Sequence, residues 1–200
     1  MDSRTLKIAA VCGISAPSVA LVCILSAIAS WSQFSWVDNA LSDLGVQAGA
    51  TALVFNSGLV VTGLLCLVFA VGLFRFAGKR SIGKVGSVVF ALACVALVCI
   101  GVFNESFVPT HYLVSVAFFV FLPISLLIFV GGFWLMGEKR LSVFTLIVGL
   151  VAAAVWILEF TVHYVPGVAI PEFISAFAGG IWAEVLSFKM LKLAKPSSAS

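Results

Sequence analysis

The stretch "EFTVH" sets Glu159 and His163 four residues apart, which on a helix puts a carboxylate and an imidazole on one side. Zinc takes such ligands, usually four of them. His111, the other histidine of the chain, and Asp43 would complete the shell. A metal held there could activate water against an ester at a membrane surface, the chemistry of a lipid-directed hydrolase or transferase. His111 and His163 as axial ligands on adjacent helices would instead suit a heme. No HExxH signature accompanies these residues. A plain Glu159–His163 pair closing a helix end accounts for the same spacing.

Glu184 raises a different chemistry. It lies well inside an apolar run, and intramembrane acids usually face the bundle and often mark function. A small-solute or proton-coupled transporter would need such a group, ideally with a second at mid-depth, and no second one stands out. A pair with a snorkelling Lys84 or Arg75 is the structural alternative.

The elements that must position these groups follow from composition. The hydrophobic fraction is 62%, the charged fraction 10% and the mean hydropathy +1.24. A soluble domain is about 45–50% apolar and about 25% charged, so the bilayer is the solvent that fits this chain. A spanning helix needs about 20 mostly apolar residues. Six runs qualify: Ile8–Ser30, Thr51–Phe74, Gly83–Phe103, Tyr112–Leu135, Leu141–His163 and Ile170–Leu191. The first has Arg4 and Lys7 before it and "AIAS" at its end, but its apolar core exceeds a signal peptide's, so it reads as a true span. Pro123 should kink the fourth run. Ser175, Ala176, Gly179 and Gly180 give small-xxx-small spacing in the sixth. The five cysteines all sit inside apolar runs and read as small fillers.

Charge orients the bundle. Arg4 and Lys7, then Arg75, Lys79, Arg80 and Lys84, then Lys139 and Arg140, then Lys189, Lys192 and Lys195 all fall on one side. The other three connections hold no Lys or Arg and carry Asp38, Asp43, Glu105, His111 and Glu172. Basic residues concentrate in the cytoplasm, so both termini are expected there. A net charge of only +3 gives no reason to expect a nucleic-acid partner. Asn104-Glu105-Ser106 matches a glycosylation sequon, but it abuts the membrane and reads as accidental.

The first acidic connection contains "DNALSDLG", Asp38 to Gly45, a polar stretch flanked by aromatics suited to the interface. Val37, Leu41 and Leu44 have helix-like spacing. The expectation is a short interfacial helix capped by Asp38 or Asn39 and ended by Gly45. Asp43 would then lie near its C-terminal turn, where an acid is unfavourable, and would turn inward to Asn56, Asn104 or His111. The segment would form a lid over a polar pocket in which Asp43, His111, Glu159 and His163 converge.

"NALSDLG", "ALVFNSGLVVTGLL" and "GVFNE" followed by His111 resemble the prokaryotic, largely archaeal membrane family called domain of unknown function 998. More distantly they are similar to the DRAM-like six-helix proteins. The matching positions are Ser42, Asp43, Gly45, Phe55, Asn104 and His111, over the first two thirds of the chain. The Pro-Glu pair that follows the motif in DRAM-like proteins is replaced by "AGATALVF". The resemblance implies six helices and a polar cluster on one face. Some DRAM-like members act in membrane-lipid or glycolipid pathways, which points toward lipid.

The reading is therefore an all-α, polytopic membrane protein of the cell membrane, with one six-helix domain over 1–195 and a disordered tail at 196–200. Its motif residues are Asn39, Ser42, Asp43, Gly45, Asn56 and Asn104. The expected role is lipid binding or membrane structure, with the hydrolase or transferase and the transporter as alternatives. Membrane lipids are the expected partners, and a homo-oligomer or another membrane protein is left open.

Overall fold

A computed structural model describes residues 3–194. The six apolar runs become six helices: α1 Ser3–Ser30, α2 Ala50–Phe76, α3 Ser81–Val102, α4 Thr110–Leu135, α5 Lys139–Val162 and α6 Ala169–Leu193. A short 3₁₀ helix, Ser42–Val46, lies between α1 and α2. All six α-helices are long and apolar enough to cross a membrane. The tail expected at 196–200, and Lys195, lie outside the described residues.

Short links between α2 and α3 and between α4 and α5 make neighbours antiparallel. Each helix packs on the next, and α6 returns to α1 and closes the ring. Both ends of the described chain are therefore on the basic face. The opposite, acidic face carries the 3₁₀ helix and the α3–α4 and α5–α6 connections.

The helices are apolar all round, as lipid demands. Leu53, Leu64 and Val71 of α2 stay exposed, while Phe55, Phe69 and Leu73 of the same helix are buried. Without a hydrophobic drive between helices in lipid, close packing decides which face turns inward. Gly63 and Gly101 let α2 and α3 approach: a Cβ on Gly101 would stand 2.6 Å from the Asn56 carbonyl, and one on Gly63 would stand 3.0 Å from that of Cys94. In α6, the Ser175 hydroxyl donates to the Ala152 carbonyl of α5 at 3.2 Å, and Gly179 faces Leu122 of α4. Gly180 faces Pro17, a second intrahelical proline besides Pro123.

Trp182 is the hub. It is fully buried, with ring centroids 5.2 Å from Phe129, 5.5 Å from Phe90 and 6.2 Å from Phe69. Its Nε1–H donates to Thr145 Oγ1 at 3.0 Å, which satisfies the indole inside an apolar core. At the basic face the Lys189 ammonium meets Glu138 at 2.7 Å and ties α6 to the α4–α5 link.

Candidate functional site: a clamped lid above an apolar chamber

The acidic connection folds into a lid whose polar groups are spent on holding it. The Asp43 carboxylate accepts from Asn39 Nδ2 at 2.7 Å and from the Ala40 N–H at 3.0 Å. The 3₁₀ helix begins at Ser42, so Asp43 lies in its first turn, where an acid is favourable. This corrects the expectation of a C-terminal position and an inward anchor. Asp38 closes a local turn instead, accepting from the Ser35 hydroxyl at 2.6 Å.

The inward contacts are made by neighbours of Asp43. Asn56 Nδ2 and Asn104 Nδ2 both donate to the Gly45 carbonyl, at 2.9 and 3.3 Å. Gly45 is needed for this approach, since a Cβ there would stand 2.6 Å from Asn56 Oδ1. It does not supply the turn expected of it; the left-handed residue is Gly49, at φ 74°. Ser42 Oγ donates to Glu105 at 2.6 Å, and the Leu41 N–H donates to Glu172 at 2.6 Å. The N–H groups of Gly167 and Ala169 donate to the carbonyls of Val37 and Asn39. Leu41 and Leu44 are buried, but Val37 is exposed, because the helix starts at Ser42 with Leu41 and not Asp38 or Asn39 as its N-cap. The lid is thus fastened to α2, to the α3–α4 connection and to the start of α6.

Burial pushes the Glu105 carboxyl above its ordinary range; the adjacent Asp43 carboxylate adds to this, while the Ser42 hydroxyl and nearby His111 oppose it. His111 is buried, with Nδ1 2.7 Å from the Phe103 carbonyl and Nε2 3.4 Å from Ser115 Oγ. Nδ1–H is therefore the donor to that carbonyl, and Nε2 lies within reach of the serine hydroxyl.

The Glu159–His163 site does not assemble. Helix α5 ends at Val162, and although the His163 N–H still donates to the Glu159 carbonyl, His163 takes a left-handed conformation at φ 51°, which turns its side chain away from the helical direction. His163 is exposed, while Glu159 is buried with Oε2 unpartnered. Among the described residues no three His, Cys, Asp or Glu side chains are placed to hold a metal ion. His111, with both ring nitrogens turned to protein oxygens, offers no free nitrogen to a heme. What surrounds Glu105 is Asp43, His111 and, within electrostatic reach, Glu172. Sequence reasoning noted Glu105 and Glu172 as polar groups of this face but gave neither a role. An acid in the first turn of α6 needs no further reason, and this masked Glu172.

Below the lid is a feature with no sequence signal. A chamber of about 320 Å³ opens among α1, α2, α3, α4 and α6. Its wall is almost wholly apolar, including Ile24, Leu59, Leu97, Phe118 and Ala176. A smaller void of about 50 Å³ shares those five residues and is roofed by Leu41, Ser42 and Glu172. The smaller void thus lies between the chamber and the underside of the lid. Ser18, Phe177 and Ile181 line it and are also exposed, so it communicates with the lipid-facing surface between α1 and α6. Glu184 lines it too. The expected pairing with Lys84 or Arg75 is not formed, because Lys84 lies over the Phe74 ring, 5.2 Å from its centroid.

Fold and apolar surface define a multi-pass membrane protein. More narrowly, the chain belongs to the family described as protein of unknown function (DUF998), whose model matches residues 14–189. No curated protein and no solved structure matches it.

Proposed function

We propose that this protein binds a membrane lipid, taking one apolar chain from the bilayer into the chamber between α1 and α6. The carrying observation is that chamber: about 320 Å³, apolar, inside the membrane zone and open toward lipid. An engineered apolar void of about 150 Å³ already takes up benzene, and ligand sites begin at about 300 Å³. The lid acts as a roof that closes the chamber from water on the acidic face. By the charge asymmetry that face is extracytoplasmic, with both termini in the cytoplasm of a cell-membrane protein.

The test is native mass spectrometry of protein released from nanodiscs. Wild type is expected to retain one lipid beyond the detergent-exchangeable shell. Ala176→Trp, which fills the shared wall of both voids, should lose it while remaining monodisperse. Retention of the same lipid by Ala176→Trp, or no retained lipid in wild type, overturns the reading. Topology is checked separately by cysteine labelling at Gly49 and Gly78, both of which have open space around them. Gly49→Cys should react from outside intact cells and Gly78→Cys only after lysis.

A further inference from the structure

The chamber wall is apolar, yet it carries two polar groups that the protein leaves unused. Thr62 is 5% exposed and its Oγ1 has no hydrogen-bond partner among the described residues. A helical threonine normally satisfies itself on the carbonyl one turn back, and Thr62 does not. Glu184 lines the same chamber, and among the described residues nothing hydrogen-bonds or ion-pairs with its carboxylate. It lies nine residues before the end of α6 at Leu193, about 14 Å from the basic face at 1.5 Å per residue. That depth is beyond the aqueous boundary. Three cations toward the basic face, Arg75, Lys84 and Lys189, could in principle neutralise it. None does so, as Lys84 covers Phe74 and Lys189 binds Glu138.

A buried hydroxyl without a partner and an intramembrane acid without a counter-ion are costly in an apolar surround. Only Glu184 is offered to the chamber, since Thr62 Oγ1 has almost no accessible surface. The wall holds this acid and no base, so an anionic group finds no partner there. A neutral hydroxyl can hydrogen-bond the carboxyl but brings no counter-charge. An ammonium group brings both a counter-charge and N–H donors.

We propose that the chamber is a site for a membrane-soluble amine, a single-chain lipophilic ammonium whose nitrogen is held by Glu184 and whose chain runs up the apolar wall toward the lid. This rests on the chain-binding reading above and names the chemical class of its ligand. The compound reaches the site sideways, where Ser18 of α1 and Phe177 and Ile181 of α6 both line the chamber and are exposed.

The experiment measures binding of dodecylamine, dodecanol and dodecanoate to the full-length protein in phosphatidylcholine nanodiscs, with partition into empty nanodiscs subtracted. Wild type should bind the amine about tenfold or more tighter than the alcohol, the scale of a charge-assisted hydrogen bond, with the carboxylate weakest. Glu184→Gln should bring the amine down to the alcohol and leave alcohol binding intact, which also shows that the variant is folded. Glu184→Asp should keep part of the amine preference, and Thr62→Val, whose hydroxyl does not reach the chamber, should leave it unchanged. Equal binding of amine and alcohol, or a preference that survives Glu184→Gln, overturns the amine assignment and leaves the chain-binding reading standing. If none of the three probes exceeds partition into empty nanodiscs, both fall together.

Discussion

The lid and the chamber below it treat polar groups in opposite ways. In the lid, Asn39, Ser42, Asp43, Asn104, Glu105 and Glu172 all make hydrogen bonds to neighbours in the fold. Asn56 spends its amide on Gly45, and only its Oδ1 is left over. On the chamber wall, Glu184 has no such partner among the described residues. A polar group that is fully spent on backbone and neighbours explains a local conformation and asks for nothing more. One left idle against an apolar void asks for a ligand. The residues with the more conspicuous sequence motif therefore hold the structure, and the inconspicuous ones belong to the proposed site.

The largest effect that would break this contrast is expected at Gly45. Gly45→Val puts a side chain against Asn56 and Phe55 and parts the lid from both asparagine donors. Overpacking of this kind costs about 1–3 kcal/mol. Thermal melts should fall accordingly, and protease should cut the segment between α1 and α2 in the variant before it cuts wild type. Next comes Asp43→Leu, which leaves Asn39 Nδ2 and the Ala40 N–H without their acceptor, at about 1–3 kcal/mol. Asp38→Leu, on an exposed turn, should stay within about 0.5 kcal/mol of wild type. Equal melts for the two variants would show that the Asp43 contacts do not hold the lid.

A smaller effect is expected from acid. The folded-state carboxyl of Glu105 is raised, so the folded protein binds this proton more tightly than the unfolded chain does. Its contribution is most favourable below the ordinary value of 4.5 and is lost as pH rises through the raised folded value. Glu105→Gln should therefore flatten the fall in melting temperature from pH 4.5 upward. A slope unchanged from wild type would assign the dependence to another group. The smallest effect on stability belongs to Thr62→Val, which removes an unpaired hydroxyl and should leave the melt unchanged or slightly raised. A clear loss would mean that the hydroxyl is already used by the fold.

Much of this architecture was legible because lipid leaves few options. Length and hydropathy placed six helices close to their observed limits; of the three apolar residues spaced alike in the first acidic connection, Leu41 and Leu44 are buried, but Val37 is exposed because no helix runs through it. The site was less legible, for reasons that individual residues make plain. The Glu159–His163 spacing implied a shared helical face, but α5 stops one residue too early, and a terminal left-handed residue is not written in the type His. Asp43 looked misplaced only while Gly45 was taken as a helix end; once the 3₁₀ helix starts at Ser42, the same acid is well placed. The chamber is set by which faces of five helices fail to meet, and Ile24, Leu59 and Phe118 look like any other core residues in sequence.

The most direct test of the central claim is an experimental density map of the protein in lipid nanodiscs. Elongated density is expected in the chamber, entering between α1 and α6 near Ile181 and running along Ala176 toward the underside of Leu41. A chamber closed by inward movement of Phe118, Leu122 and Phe177, with no density between them, would contradict it.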